Sequence, residues 1–178
     1  MLISWLVAIL FLQGPVIHTN TYYNTSNAPQ ADSLTVYVFL LDDCVISQFY
    51  TPALTDFYET YKTQKVGFIG YFPSTKPERI EAFGKKYQLS FPLKQDYYKD
   101  WTKKMGATVT PEVAVWDHRT NRLIYRGRID DSYVRVGKRK FHPKSHDLKN
   151  IIDLWLVKQT PDTLVQTQAI GCFISLRE

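Results

Sequence analysis

Cys44 stands at the boundary between two hydrophobic patterns. Before it, Leu34–Leu41 is an unbroken apolar and β-branched run, which is typical of a strand buried on both faces. From Ile46 onward, apolar side chains recur every three or four residues, which predicts a helix. A thiol at a helix start meets free backbone N–H groups and the positive end of the helix dipole. Both lower its pKa and favour the reactive thiolate.

Two acidic neighbours and one hydroxyl bear on the reactivity of Cys44. Asp42 and Asp43 directly precede it, and their negative charges raise a thiol pKa, so the direction of the net shift stays open. Ser47 lies one helical turn further on, where its hydroxyl could donate a hydrogen bond to the thiolate. The alternative is that Cys44 is a small unreactive side chain buried at a strand end.

Cys172 is the second of the two cysteines, and it lies in a small apolar cluster near the end of the chain. We expect the tail that begins at Gln159 to have few constraints of its own. A mobile Cys172 could then resolve a sulfenic acid or a mixed disulfide on Cys44. The alternatives are a permanent disulfide, worth about 4–5 kcal/mol through closure of a long loop, or no pairing at all.

Thr110-Pro111 directly precedes the predicted strand Glu112–Asp117, which forms a hairpin with Arg122–Arg126. An X-Pro bond at such a position is either cis, which fixes a tight turn, or an ordinary trans bond at the start of an edge strand. The sequence therefore offers a candidate turn near the site but leaves the isomer open.

Basic side chains form a second group of candidates. Arg126 and Arg128 are predicted to alternate along a strand and share one face, where they would hold an anion or steady the Cys44 thiolate. A solvated strand face accounts for them equally well. His142 and His146 have the spacing of a metal-ligand pair on a helix, but their segment reads as a loop, so capping or surface histidines are the simpler interpretation.

The elements that must position these residues alternate between strand and helix. This order predicts an α/β fold with a parallel strand pair at its start and an antiparallel hairpin later. Pro52 is expected to kink the first helix. The remaining predicted elements are a strand at Lys65–Phe72, a helix at Pro77–Tyr87, an extended piece at Leu89–Lys94, a helix at Tyr97–Met105, a loop at Arg128–His146 and a helix at Asp147–Lys158, capped by Asp147.

Composition limits the classes of function. The hydrophobic fraction of 44% excludes global disorder. The net charge of +5 is mild, and the densest basic run, at residues 135–144, is too short for a nucleic-acid-binding surface. Leu2–Leu12 is apolar but too short to span a bilayer, so we expect a signal peptide or N-terminal anchor at residues 1–19 and a polar linker at residues 20–33. This predicts an extracytoplasmic protein, periplasmic or secreted, with membrane association through residues 2–12 if the leader is retained.

Four separated motifs carry a resemblance to a known family, and they appear in the same order here. They are Cys44-Val45-Ile46-Ser47, Tyr125-Arg126-Gly127-Arg128-Ile129-Asp130-Asp131, His146-Asp147-Leu148 and Gly171-Cys172. Together with the strand before Cys44 and Thr110-Pro111, they resemble the thioredoxin-like superfamily. The closer similarity is to its redoxin branch, the alkyl hydroperoxide reductase/thiol-specific antioxidant type. The resemblance implies a central sheet flanked by helices, with a cis Thr110-Pro111 bond close to Cys44.

The sequence also departs from this family. Peroxiredoxins place a Thr and a Pro ahead of the peroxidatic cysteine where this chain has Leu41 and Tyr37, so the resemblance does not imply peroxidase activity. Ser47 replaces the second cysteine of a Cys-x-x-Cys pair, and Val45 replaces the Pro of the motif.

Two functions follow as hypotheses. The first is an exported thiol–disulfide oxidoreductase or redoxin-type antioxidant protein. Its domain spans residues 34–158, its nucleophile is Cys44, and its resolving residue is Cys172 on a tail at residues 159–178. Ser47, Thr110, Pro111 and Arg128 would support the site. Its partners would be a protein thiol or disulfide, or a small oxidant, with no cofactor. The second is a non-catalytic module that binds a metal or a partner protein and holds a structural Cys44–Cys172 disulfide.

Overall fold

Every residue of the first strand, β1 (Leu34–Phe39), is buried. In the computed structural model, which describes residues 33–176, β1 pairs in parallel with β2 (Val66–Phe72) and antiparallel with β5 (Glu112–Asp117). The unbroken apolar run therefore marks a central strand, as predicted. The predicted leader, and all of the linker except Ser33, lie outside the described residues.

The remaining strands complete one large sheet and two small ones. They are β3 (Leu93–Gln95), β4 (Val109–Thr110), β6 (Arg122–Gly127), β7 (Tyr133–Arg135), β8 (Lys138–Arg139), β9 (Val165–Gln166) and β10 (Cys172–Phe173). The large sheet has six strands in the order β3-β2-β1-β5-β6-β9, while β10 pairs with β4 and β7 pairs with β8. Both parallel and antiparallel pairs occur, so the predicted mixed sheet and the β5–β6 hairpin are confirmed.

Within residues 33–176, four helices flank the sheet: α1 (Val45–Tyr61), α2 (Pro77–Tyr87), α3 (Asp100–Met105) and α4 (Asp147–Leu156). On one face, Val36 and Val38 of β1 pack in a cluster with apolar side chains of α1, α2 and α4. On the other face, Tyr37 and Phe39 pack in a cluster with Met105 of α3. The alternating side chains of one strand thus contribute to two hydrophobic layers, and helices flank the sheet as predicted.

The first helix runs through Pro52 without interruption. Proline has no N–H, so the carbonyl of Gln48, one turn earlier, loses its ordinary helical donor. The Thr51 hydroxyl donates to that carbonyl at 2.8 Å and replaces the missing bond. The helix begins immediately after Cys44, whose carbonyl accepts the N–H of Gln48 at 3.0 Å.

The third helix is shorter than the predicted Tyr97–Met105, because α3 begins only after Lys99. Lys99 has a left-handed backbone with φ of 58°, which no helix continues through. The Asp96 carboxylate accepts the N–H of Thr102 at 2.8 Å, so it satisfies a free donor of the first turn. The helix therefore starts where a side chain from the preceding loop reaches it.

Two expectations about residues 128–147 were wrong. The segment predicted as a loop contains the short antiparallel strands β7 and β8. Asp147 does not cap α4, since His146 occupies the cap position and makes no side-chain capping bond. The Asp147 carboxylate instead accepts a hydrogen bond from Arg128 at 2.8 Å. This ion pair ties the start of α4 to the end of β6.

The C-terminal tail is held by the rest of the fold, contrary to the expectation of few constraints. Its strand β9 pairs in parallel with β6 at one edge of the large sheet. Further along, β10 pairs antiparallel with β4, and Ile174 donates to the carbonyl of Thr108 at 2.9 Å. These strands span two residues each, which is too short for a periodic pattern to reveal.

No helix within residues 33–176 has both the length and the apolar character that crossing a membrane requires.

Candidate functional site

The two cysteines, which sequence places at opposite ends of the domain, meet on either side of Thr110. The Cys44 thiol donates a hydrogen bond to the Thr110 carbonyl at 3.1 Å. Cys172 lies directly opposite Thr110 in the β10–β4 pair, and its side chain hydrogen-bonds with Cys44. Both thiols are free in this structure. The fold therefore brings two reduced cysteines together on either side of Thr110, although they are distant in sequence.

The two thiols have pKa values shifted in opposite directions. Burial raises the pKa of Cys44, but hydrogen bonds from the Cys172 thiol, from Ser47 and from the Cys172 backbone outweigh burial and lower it overall. Burial, the hydrogen bond to Cys44 and the negative charges of Cys44 and Asp43 raise the pKa of Cys172 to about 12. Cys44 is therefore the more acidic thiol of the pair and the first to lose its proton as the pH rises.

Ser47 lies fully buried beneath Cys44. Both its backbone N–H and its hydroxyl hydrogen-bond to the Cys44 sulfur and stabilise the thiolate. The Ser47 oxygen also accepts the N–H of Leu41 at 3.3 Å, which holds the hydroxyl in place. Serine at this position thus supplies donors where a Cys-x-x-Cys protein would carry its second thiol.

A Ser47→Ala variant should have a Cys44 pKa higher than that of the wild type. The hydroxyl donor would be lost, while the backbone N–H donor of residue 47 would remain. The measurement is the pH dependence of Cys44 alkylation, followed residue by residue with mass spectrometry. A Ser47→Thr variant, which keeps the hydroxyl, should titrate close to the wild type. A lower midpoint in Ser47→Ala would contradict the role of this hydroxyl.

The peptide bond between Thr110 and Pro111 is cis, as the family resemblance implies. Sequence reasoning missed the residue that holds the segment before it. The Glu112 side chain is buried, and its carboxylate accepts the backbone N–H of Thr108 at 2.7 Å and of Val109 at 3.3 Å. The available signal was a carboxylate at the start of a strand that is otherwise apolar.

Gly171 lets the tail approach the site closely. A Cβ atom at this position would lie 2.0 Å from the Thr110 oxygen and 2.6 Å from its carbonyl carbon, both of which are backbone atoms. Only a residue without a side chain fits against that carbonyl. The glycine of the Gly171-Cys172 motif is thus explained by the close approach of the tail to the backbone of Thr110.

Asp42 and Asp43 were expected to raise the pKa of Cys44, but neither is among the groups that shift it. The Asp42 carboxylate pairs with the Arg79 Nε at 2.5 Å and accepts the Thr75 hydroxyl at 2.9 Å. Its charge is therefore compensated. Asp43 raises the pKa of Cys172 instead, which strengthens the contrast between the two thiols.

The two arginines do not share a strand face, because β6 ends at Gly127. The Arg128 guanidinium pairs with Asp147 and lines a small crevice beside Pro111. Arg126 donates to the Gln166 side-chain oxygen at 2.6 Å. Neither arginine is among the groups that shift the Cys44 pKa, so the alternative in which they steady the thiolate gains no support from the electrostatics of Cys44.

The two histidines lie apart from the thiols on the exposed surface. His142 packs edge-on against Phe141, and His146 occupies the position before α4. Across residues 33–176, no three His, Cys, Asp or Glu side chains gather as a metal site would require.

Comparison with known proteins yields structural relatives. No family model and no curated protein match the sequence. A hypothetical protein from Sinorhizobium meliloti 1021 superposes with a TM-score of 0.69 at 28% identity, over 81% of this chain and 80% of that one. An uncharacterized conserved protein from Geobacillus kaustophilus superposes with a TM-score of 0.69 at 21% identity, over 82% and 78%.

A third structure carries a functional name. The thioredoxin domain of a thiol-disulfide oxidoreductase from Bacteroides vulgatus matches with a TM-score of 0.53 at 14% identity, over 71% of this chain and 81% of that one. At this identity the likeness establishes the fold alone. With the cis-proline turn beside the helix-start cysteine, it confirms that this chain has a thioredoxin-like fold.

Proposed function

We propose that this chain is a thiol–disulfide oxidoreductase in which Cys44 is the nucleophile and Cys172 the resolving thiol. The observation that carries the proposal is the contact between two free thiols whose pKa values move in opposite directions. The thiolate is the reactive form of cysteine, and a neighbouring thiol is what a mixed disulfide needs for its resolution. The name of the Bacteroides vulgatus relative supports the same reaction class.

The first step is attack by the Cys44 thiolate on one sulfur of a protein disulfide. The substrate S–S bond breaks, the departing sulfur takes up a proton, and Cys44 is joined to the substrate. This step removes the negative charge of Cys44 and its hydrogen-bond acceptor. Both had raised the pKa of Cys172, so the resolving thiol becomes easier to deprotonate once it is needed.

In the second step, Cys172 loses its proton to solvent and attacks the Cys44 sulfur. The substrate leaves with its second sulfur as a thiol, and a Cys44–Cys172 disulfide forms. Two protein thiols are oxidised and one substrate disulfide is reduced. A dithiol reductant restores the pair, and the reverse sequence would donate a disulfide to a substrate dithiol.

The finer assignments belong to the same proposal. We infer an exported protein of the redoxin type, on the basis of the apolar segment near residue 1 and the four ordered motifs. Leu41 and Tyr37 stand where peroxidases carry Thr and Pro, so disulfide exchange is proposed as the main reaction. A peroxide would be a secondary substrate.

One observation favours a second candidate function. The Cys44 side chain is only 1% exposed, which suits a structural disulfide in a non-catalytic binding module. The two candidates differ in whether Cys44 exchanges with external sulfur compounds while the protein stays folded.

The decisive experiment treats the reduced, folded protein with iodoacetamide and, separately, with oxidised dithiothreitol. Mass spectrometry of the digested protein then assigns each modification to a cysteine. We expect Cys44 to be alkylated before Cys172, and oxidised dithiothreitol to yield an intramolecular disulfide that dithiothreitol reverses. A Cys44→Ser control should form no intramolecular disulfide with oxidised dithiothreitol, and any alkylation that remains should fall on Cys172, whose pKa no longer carries the contribution of Cys44. A native Cys44 that reacts with neither reagent would eliminate the oxidoreductase.

A further inference from the structure

A groove lies beside the thiol pair, between the tail and the β7–β8 hairpin. Its volume is about 450 Å³, within the range of ligand-binding clefts. The tail contributes one wall through residues 167–171 and Phe173, and Arg135 and Val136 of the hairpin contribute the other. Because Gly171 and Phe173 both line the groove, it ends next to Cys172.

The hairpin side of the groove carries the excess charge of the whole protein. Residues 133–144, which we call the basic hairpin, contain five basic residues and no acidic ones: Arg135, Lys138, Arg139, Lys140 and Lys144. The chain has 22 basic and 17 acidic residues and a net charge of +5, so the remainder is electrically balanced. Lys140 pairs with Asp131, which lies outside this segment, and the other four basic residues make the surface beside the groove positive.

The charged side chains that line the groove also favour an acidic ligand. The Glu112 carboxylate is already used by the backbone N–H groups of Thr108 and Val109 and lies 3.7 Å from Arg126. Arg135 is exposed and forms no ion pair with any residue of the described chain. An acidic ligand would thus find an uncompensated guanidinium, with no free carboxylate to repel it.

The groove also offers apolar surface at an open strand edge. Phe173 is 87% exposed and Val136 is 61% exposed, which is unusual for side chains of this size beside a cleft. Successive strand residues point to opposite sides, so Cys172 faces Cys44 while Phe173 faces outward. Within residues 33–176, β10 pairs only with β4, so its other edge is open to an added strand.

We propose that this groove binds an extended segment of the substrate protein that carries acidic and apolar side chains beside the exchanging cysteine. The acidic group would meet Arg135, an apolar side chain would cover Phe173 and Val136, and the backbone would lie along β10. The inference rests on the proposed oxidoreductase and names its substrate class: acidic polypeptides, not basic ones.

The test is equilibrium binding of three fluorescein-labelled peptides, equal in length and with serine in place of cysteine, to the full-length reduced protein. One peptide carries Glu and Phe, one carries Gln and Phe, and one carries Lys and Phe. We expect the Glu peptide to bind about tenfold more tightly than the Lys peptide at low salt, with a smaller ratio at high salt. Because the peptides contain no sulfur, this result is independent of redox activity.

Two variants distinguish binding in the groove from a general electrostatic attraction to the basic hairpin. Arg135→Glu should weaken binding of the Glu peptide about fivefold, whereas Lys138→Glu, with the same charge change outside the groove lining, should weaken it less. Equal losses in both variants would overturn the groove as the binding site. Equal affinity for all three peptides, or displacement of the Glu peptide by free glutamate at matched concentration, would also overturn the proposal.

A parallel reaction keeps the two proposals distinct. The reduction rate of hydroxyethyl disulfide, a small uncharged compound, tests the oxidoreductase and should be unchanged in Arg135→Glu. Failure of this reaction with intact peptide discrimination would remove the proposed function and leave the binding site. A normal reaction rate without peptide discrimination would remove the binding site and leave the proposed function.

Discussion

A Cys172→Ser variant treated with hydrogen peroxide should accumulate Cys44 as sulfinic and sulfonic acids, whereas the wild type should stop at a reversible disulfide. Peroxide converts the Cys44 thiolate to a sulfenic acid with release of water. In the wild type, Cys172 condenses with this sulfenic acid and releases a second water. Without Cys172, the sulfenic acid meets further peroxide and is oxidised beyond recovery. Mass spectrometry before and after dithiothreitol gives the recovered fraction.

A Cys172→Ala variant separates the two roles of Cys172. Serine keeps an O–H donor near Cys44, whereas alanine removes the strongest of the hydrogen bonds that lower the Cys44 pKa. Both variants should over-oxidise, but Cys172→Ala should have the higher Cys44 pKa. The thiolate would then be present above a higher pH, and alkylation at neutral pH would be slower. Full recovery of either variant by dithiothreitol would refute the resolving role.

A Gly171→Ala variant should lose the close fit between the tail and Thr110. The added methyl group would meet two backbone atoms at 2.0 and 2.6 Å, and backbone cannot rotate aside, so β10 must shift. We expect a loss of about 1–3 kcal/mol in the free energy of unfolding, typical of an overpacked site. The Cys44 pKa should rise, because both hydrogen bonds from Cys172 depend on the position of β10.

Gly171→Ala should also make Cys44 more accessible to alkylating reagents, although it raises the pKa of Cys44. Well above its pKa, Cys44 is wholly thiolate, so the alkylation rate there reports exposure alone, and this rate should increase when β10 shifts. Gly67→Ala is the matched control, since a Cβ there would have its nearest neighbour, the Leu34 oxygen, at an ordinary 3.9 Å. A Gly171→Ala protein with wild-type stability and titration would show that the tail does not depend on this contact.

The elements that sequence predicted well are those whose signal is local. The unbroken apolar run of β1 reflects burial on both faces, and α2 begins at Pro77, where a missing N–H costs nothing. The start of α3 was missed because it depends on Asp96 in the preceding loop. The β10–β4 pair was missed because two residues form no pattern and their partner lies in another part of the chain.

The site was predictable in its members but not in its electrostatics. Cys44, Cys172 and Ser47 were identified from residue type, from position at a helix start and from a resemblance. The lowered pKa of Cys44 depended on the Cys172 thiol reaching Cys44. This contact joins two segments that no spacing rule connects. Arg128 was wrongly predicted to lie on the strand, because β6 ends at Gly127, one residue before it.

The short strands of the tail have a consequence for how the oxidation state could be observed. In the reduced chain, residues 159–176 are held without a covalent bond, by the two-residue pairings of β9 and β10 and by hydrogen bonds such as that from Ile174 to Thr108. A bond between Cys44 and Cys172 would add a covalent attachment near the end of this segment. A protease that cuts between α4 and β9 would then release a fragment from the reduced chain and leave it attached in the oxidised chain. The digestion pattern on a non-reducing gel would therefore distinguish the two redox states without any chemical label.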